Sequence, residues 1–179
     1  LKNMRPFRTE EMEMAWLTHD QISQLLGECK RHDHPDLETV VKICLATGAR
    51  WSEAESLKKS QLAKYKITYT NTKGRKNRTV PISKELYESL PDDKKDRLFS
   101  DCYGAFRSAL ERTGIELPAG QLTHVLRHTF ASHFMMNGGN ILVLQRELGH
   151  TDIKMTMRYA HFAPDHLEDA VKLNPLNKQ

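Results

Sequence analysis

The chain of 179 residues carries a net charge of +4 and 39% hydrophobic residues, with a pI near 8.9. That apolar share suits one compact domain with a core, or two small lobes. No apolar run is long enough to cross a bilayer and no signal-peptide pattern opens the chain, which excludes a helical membrane protein and points to the cytoplasm, with no membrane partner. The cysteines Cys29, Cys44 and Cys102 are odd in number, far apart and without a CxxC pair. Neither a disulfide framework nor a zinc ribbon is expected, and the thiols read as reduced.

In chain order, the first residues read as a linker, and a start on Leu1 rather than Met suggests a piece of a longer protein. Thr18-His-Asp-Gln21 is a capping-box pattern and predicts a helix to about Arg31. Pro35 suits the first turn of a second helix with Leu37, Val40, Val41, Cys44 and Leu45 on its core face, stopped by Gly48. A short helix follows from near Ser52. The β-branched stretches Lys66–Thr72 and Arg78–Ile82, joined by Lys-Gly-Arg-Lys-Asn, predict a β-hairpin with a basic tip. Pro81 marks the second strand as an edge or near its end. The remainder reads as helical: Ser83 to about Leu90, Asp101–Arg112, Gln121–Met136, Asn140–Leu148, Asp152–Tyr159, and a last helix opened by Pro164 and running to about Leu173. The expected class is mainly α with a small antiparallel sheet, in one domain.

Charge is unevenly spread. Lys58, Lys59, Lys64, Lys66, Lys73, Arg75, Lys76, Arg78 and Lys84 fall in one segment that holds no Asp or Glu. A solvated charge run is the plain explanation. Self-repulsion over that length also favours an attending anion, and DNA phosphates fit, with counterion release as the driving force.

Three further clusters could carry chemistry. In LTHVLRHTFASH a continuous helix would place His124, Arg127, His128 and Ala131 along one face. A basic surface face, a metal site and an anion site all fit such a row. The metal reading lacks HExxH and a completing carboxylate or Cys, and Arg127 would repel a cation. The anion reading pairs an Arg fork with a His that donates or moves a proton. In TGARWSE, Arg50 stands near a helix N-terminus, with Glu53 placed to orient its guanidinium, although an Arg–Glu surface pair explains the same residues. In LGH and TMRYAHF, His150 follows a helix-ending glycine and Tyr159 lies nine positions on. A lone Tyr is usually packing, whereas one meeting two Arg, two His and a Lys is a candidate nucleophile.

Together, TGARWSEAESL, HVLRHTFASHFMMNGGNILVLQRELGH and TMRYAHF resemble the conserved boxes of the tyrosine recombinase family, and the integrases of temperate bacteriophages in particular. The G-x-R-x-x-E box, the hairpin Lys, the H-x-x-R box, the L-G-H box and the Tyr each occur here in order, from about residue 16 to 162. The resemblance implies the tyrosine recombinase catalytic-domain fold and site-specific cleavage and rejoining of DNA through a 3′-phosphotyrosyl link, for integration and excision of phage DNA. It implies that Arg50 and Arg127 clamp the scissile phosphate and that Lys73 protonates the leaving 5′ oxygen. His124 would accept the phenol proton or bind phosphate, His150 would hydrogen-bond the phosphate, and Tyr159 would attack. Lys58, Lys59, Arg75, Lys76 and Arg78 are expected to contact DNA, Glu53 and His161 to support the site, and His128 and His133 to hydrogen-bond within the fold. No metal and no cofactor are expected, since there is no Walker A loop and no dense acidic group for two-metal cleavage.

The resemblance also divides the chain. Residues 1–15 read as a linker from a missing N-terminal DNA-binding domain, 16–163 as the catalytic domain and 164–179 as a C-terminal helix and tail that contacts another protomer. The implied partners are double-stranded DNA attachment sites, further copies of the chain in a dimer or tetramer on DNA, and host DNA-bending and phage excision factors. A type IB topoisomerase would share the chemistry, and a non-catalytic DNA-binding protein would share the basic surface.

Overall fold

The computed structural model describes residues 14–70, 76–122 and 124–178. Helices α1 (His19–Arg31), α2 (Leu37–Thr47) and α3 (Trp51–Glu55) lead into a three-stranded antiparallel meander, β1 (Leu62–Ala63), β2 (Lys66–Tyr69) and β3 (Arg78–Pro81). Then come α4 (Lys84–Ser89), α5 (Tyr103–Thr113), α6 (Val125–Met136), α7 (Ile141–Leu148), α8 (Ile153–Met157) and α9 (Asp169–Leu173). The mainly helical class with a small antiparallel sheet is as expected. The additional short strand β1 was not anticipated, because two residues carry no periodicity to read.

Local chemistry sets most boundaries. Thr18 Oγ1 accepts the Gln21 amide at 3.2 Å while Gln21 Oε1 accepts the Thr18 amide at 2.9 Å, the reciprocal capping box. Asn140 and Asp152 cap α7 and α8 more simply, one side-chain oxygen of each accepting backbone amides of the first turn. Pro35 lies just before the α2 cap, Asp36, rather than inside the first turn. Turn hydrogen bonds precede α6, with the Gln121 amide on the Pro118 carbonyl and the His124 amide on the Gln121 carbonyl. Helix α6 therefore starts four residues later than predicted, and His124 is its cap rather than a member of its face. Pro164 does not open the last helix, whose cap is Glu168. The segment predicted as one helix over 152–159 ends at Met157, and Tyr159 leads into a single 3₁₀ turn at Ala160–Phe162.

Helix α2 runs through the main core, burying Leu37, Val40, Val41, Ile43, Cys44 and Thr47 between α1, α5 and α6. Alternation in the sheet sends Ile67, Tyr69 and Val80 inward, with Ile67 opposite Val80 and Tyr69 opposite Arg78. Thr68 and Thr79 share a hydroxyl–hydroxyl hydrogen bond of 2.9 Å on the outer face. A second, smaller cluster of Ala131, Met135, Leu144, Leu148 and Tyr159 lies between α6 and α7 and receives Phe130, Phe134 and Phe162. His133 links the N-terminal segment to α6, its Nε2 2.7 Å from the Leu17 carbonyl, in the structural role expected of it.

The join between α2 and α3 is sterically exacting. Gly48 has φ +71°, and a Cβ there would stand 2.5 Å from Phe130 Cδ1 and 2.8 Å from Leu148 Cδ2. A Gly48→Ala substitution combines left-handed strain with overpacking and is expected to cost about 2–4 kcal/mol. Urea unfolding should show this as a lower midpoint at unchanged slope.

Candidate active site

The centre of the site is Arg127, on the first turn of α6 and only 5% exposed. Its Nη1 donates to the Gly48 carbonyl at 2.7 Å and its Nη2 to the Leu148 carbonyl at 2.6 Å. These carbonyls belong to the ends of α2 and α7, where backbone oxygens lack helical partners and carry the negative end of the helix dipole. One guanidinium thus sets two chain reversals side by side. Arg50 lies two residues past the first and His150 two residues past the second. Burial, then the charges of Arg50 and Arg78, lower the Arg127 pKa to about 10, which leaves it cationic at neutral pH.

A second clamp holds the sheet to the same place. Glu53 Oε1 accepts the Arg50 backbone amide at 2.9 Å, so Glu53 acts behind Arg50 through its main chain. The same carboxylate forms a two-pronged pair with Arg78, at 2.7 Å to Nη1 and 2.9 Å to Nη2. Arg78 Nε donates to the Glu147 carbonyl at 2.8 Å, and the guanidinium carbon lies 4.7 Å from the Tyr69 ring centroid. Arg78, expected to face DNA, is therefore engaged within the protein, with its side chain only 11% exposed. The strand register carried the signal, since Arg78 alternates with Thr79 and shares the inner face with Val80 and Tyr69. The approach is close enough that a Cβ at Gly149 would meet Arg78 Cδ at 3.0 Å.

His150 Nδ1 and Thr156 Oγ1 are 2.8 Å apart. Burial, followed by the charges of Arg127, Arg50, Arg158 and Arg78, lowers the His150 pKa to about 4. His124, the exposed cap of α6, is lowered by burial and then by Arg127, Arg50 and Arg158. The charges of Arg50 and Arg127 thus act on both His124 and His150.

Tyr159 joins them with its ring in the smaller core, 3% exposed, and its Oη 2.6 Å from His128 Nδ1. His128, expected only to hydrogen-bond within the fold, is the direct partner of the candidate nucleophile. Burial raises the Tyr159 pKa against the lowering fields of Arg127 and Arg158, so the phenol rests protonated. No local pattern distinguished His128 from His133; the contact joins residues far apart in the chain. His161 is exposed and lies against Phe162 in a tilted arrangement, 4.1 Å between ring centroids. Lys58 and Lys76 are exposed, and Lys59 Nζ reaches the Asp92 carbonyl at 3.2 Å on the surface. Lys76, Arg146, Thr151 and His150 line a groove of about 880 Å³ between β3 and α7. Lys73 and Arg75 fall outside the described residues.

A model of the phage integrase family matches residues 15–166. The chain belongs to the phage integrase family. It is 97% identical over 176 residues to the integrase of Escherichia phage 186, covering 98% of this chain and 52% of that protein. It is 32% identical over 169 residues to the tyrosine recombinase XerA of Saccharolobus solfataricus, covering 90% of this chain and 57% of that one. The structure resembles the catalytic domain of bacteriophage HP1 integrase with a TM-score of 0.89 and 66% identity, covering 92% of this chain and 97% of that one. This integrase-family chain thus spans about half the length of the phage 186 relative.

The Glu53–Arg78 pair offers a direct test. Burial pushes the Glu53 carboxyl up, but the Arg78 hydrogen bonds and charge, with the Arg50 amide, outweigh it and hold the pKa below the ordinary carboxylate value. A depressed carboxyl stabilises the fold above its unfolded pKa, and that contribution is lost as pH falls through the folded value. Glu53→Gln should cost about 3 kcal/mol at neutral pH. The difference from wild type in urea unfolding should shrink as the medium is made acidic.

Proposed function

We propose that this chain is the catalytic domain of a site-specific DNA recombinase that cuts and rejoins phage and host attachment sites through a covalent bond to Tyr159. The observation that carries the reading is the buried Tyr159, its hydroxyl 2.6 Å from His128 and within the field of Arg127. Phosphoryl transfer depends on positioning and charge stabilisation. Arg50 and Arg127 would hold the non-bridging oxygens, and His150 would hydrogen-bond to one of them. After its two carbonyl bonds the Arg127 guanidinium still has N–H groups to offer. Lys73 would protonate the 5′ alkoxide. Attack by Tyr159 stores the cleaved bond as a phosphotyrosine, so rejoining needs no nucleotide.

Exposed Lys58, Lys59 and Lys76, with Arg75, would meet the DNA backbone, and Lys76 also lines the groove between β3 and α7. Because Tyr159 contacts His128 of its own chain, each protomer would cut with its own tyrosine. Residues 164–179 would contact a second copy. Leu167 is 80% exposed and Leu176 89%, and α9 buries none of its residues, so these apolar groups of the tail stay uncovered among the described residues.

On a nicked attachment-site duplex, wild type should form a covalent protein–DNA band and Tyr159→Phe should form none; a band that persists in the variant would remove Tyr159 as nucleophile. Mixing Tyr159→Phe with Arg127→Ala should not restore the band if each tyrosine serves its own site. Deleting residues 164–179 should lower the mass measured in solution by light scattering, and an unchanged mass would sink the tail contact.

A further inference from the structure

The contact between His128 and Tyr159 has chemical consequences beyond packing. Nδ1 and Oη are 2.6 Å apart, within the reach required of a group that removes a proton. The rings of His124, His128 and Tyr159 stand in a row, with centroids 6.0 Å and 5.9 Å apart and similar tilts of 44° and 43°. The two ends of the row differ: Tyr159 is buried in the smaller core, whereas His124 is exposed at the cap of α6. A proton leaving Oη would therefore first meet His128, and His124 lies on the solvent side of it.

We infer that His128, rather than His124, accepts the proton of Tyr159 when the phenol attacks. This rests on the strand-cleavage reading above. In the resting site Oη–H donates to Nδ1 of a neutral imidazole protonated on Nε2. As Oη bonds to phosphorus, the O–H bond breaks and its proton passes to Nδ1, giving an imidazolium. The P–O5′ bond breaks, and the leaving oxygen takes a proton from the general acid. The imidazolium then releases its Nε2 proton toward His124 and water, and the reverse path returns a proton to Oη on rejoining. His124 is thereby free to bind the phosphate.

Electrostatics couple this step to substrate. Burial, then the charges of His124, Arg158 and Arg127, hold the His128 pKa at about 4, so Nδ1 keeps its lone pair at neutral pH. A phosphate seated against Arg127 offsets part of that positive field and makes His128 more basic. The base is weak while the site is empty and strengthens when DNA fills it.

His128→Asn is the informative substitution, because its amide keeps a hydrogen-bonding group near the position of Nδ1 but cannot carry the proton. The measurement is the single-turnover rate of covalent adduct formation on a nicked attachment-site duplex, with ordinary oxygen or sulfur at the bridging 5′ position. DNA affinity is measured alongside, and circular dichroism melting checks the fold. His128→Asn and His128→Ala should both form adduct about 10²-fold slower at unchanged DNA affinity. Both should stay slow with the sulfur leaving group, which needs no acid. A wild-type rate in His128→Asn would reduce His128 to a positioning contact and overturn the inference. Rescue by sulfur would place its action on the leaving group and also overturn it. If His128→Ala does not fold, His128→Asn carries the test. Absence of any adduct from wild type overturns the cleavage reading and this inference with it, whereas a normal wild-type adduct beside a fast His128→Asn removes this inference alone.

Discussion

The arrangement of the site depends on one buried cation between two helix ends. The ends of α2 and α7 each present a carbonyl without a helical partner, and Arg127 satisfies both from the start of α6. Unpaired, these oxygens would carry the full penalty of buried polar groups, and the guanidinium would be an uncompensated charge. Paired, the three helices are fixed to one another through short, directional, charge-assisted bonds. Arg50 and His150 inherit their positions because each lies two residues beyond a clamped carbonyl. A side chain able to bind anions thus also builds the frame that brings the other candidate phosphate ligands to it.

The Glu53–Arg78 pair extends this frame to the sheet. Glu53 offsets positive charge where Arg50, Arg78 and Arg127 come together, and it does so while capping the start of α3. Without that carboxylate three guanidinium groups would repel one another in a partly buried space. With it, Arg78 is neutralised and a net positive field remains around Arg50 and Arg127. Pairing Arg78 in this way sets the site's charge, and β3 is tied to α3 and α7 by the same contacts.

Features with short-range causes were legible in the sequence. The Thr18–Gln21 box, the stop at Gly48, the two main strands and the cap at Ser83 all follow from residues a few positions apart, and the structure has them. The start of α6 was not legible, because the turn bonds Gln121 N–H to Pro118 and His124 N–H to Gln121 interrupt a pattern that periodicity alone continues. Arg78 was read from its charge as a surface residue, although alternation with Val80 already assigned it to the inner face. His128 and His133 looked alike, and only tertiary contacts separate them: one meets a phenol, the other the Leu17 carbonyl. The motif boxes marked which residues gather, but their partners are set by long-range packing that spacing does not encode.

The resting electrostatics fit an enzyme that waits for its substrate. Burial and the arginine fields keep His128 and His150 neutral, while burial keeps Tyr159 protonated. The fixed positive charge resides on the arginines. An arriving phosphate diester would offset that charge, and its trigonal-bipyramidal transition state, with more charge on its oxygens, would do so more fully. Under the proposed reaction, such a site would be better matched to the transition state than to the free anion, which is the condition for accelerating the chemical step. Lowering the positive field would also make histidine protonation easier at the moment a proton must leave the phenol. Under the proposed reaction, the same substitution of phosphate for solvent would both orient the electrophile and strengthen the base.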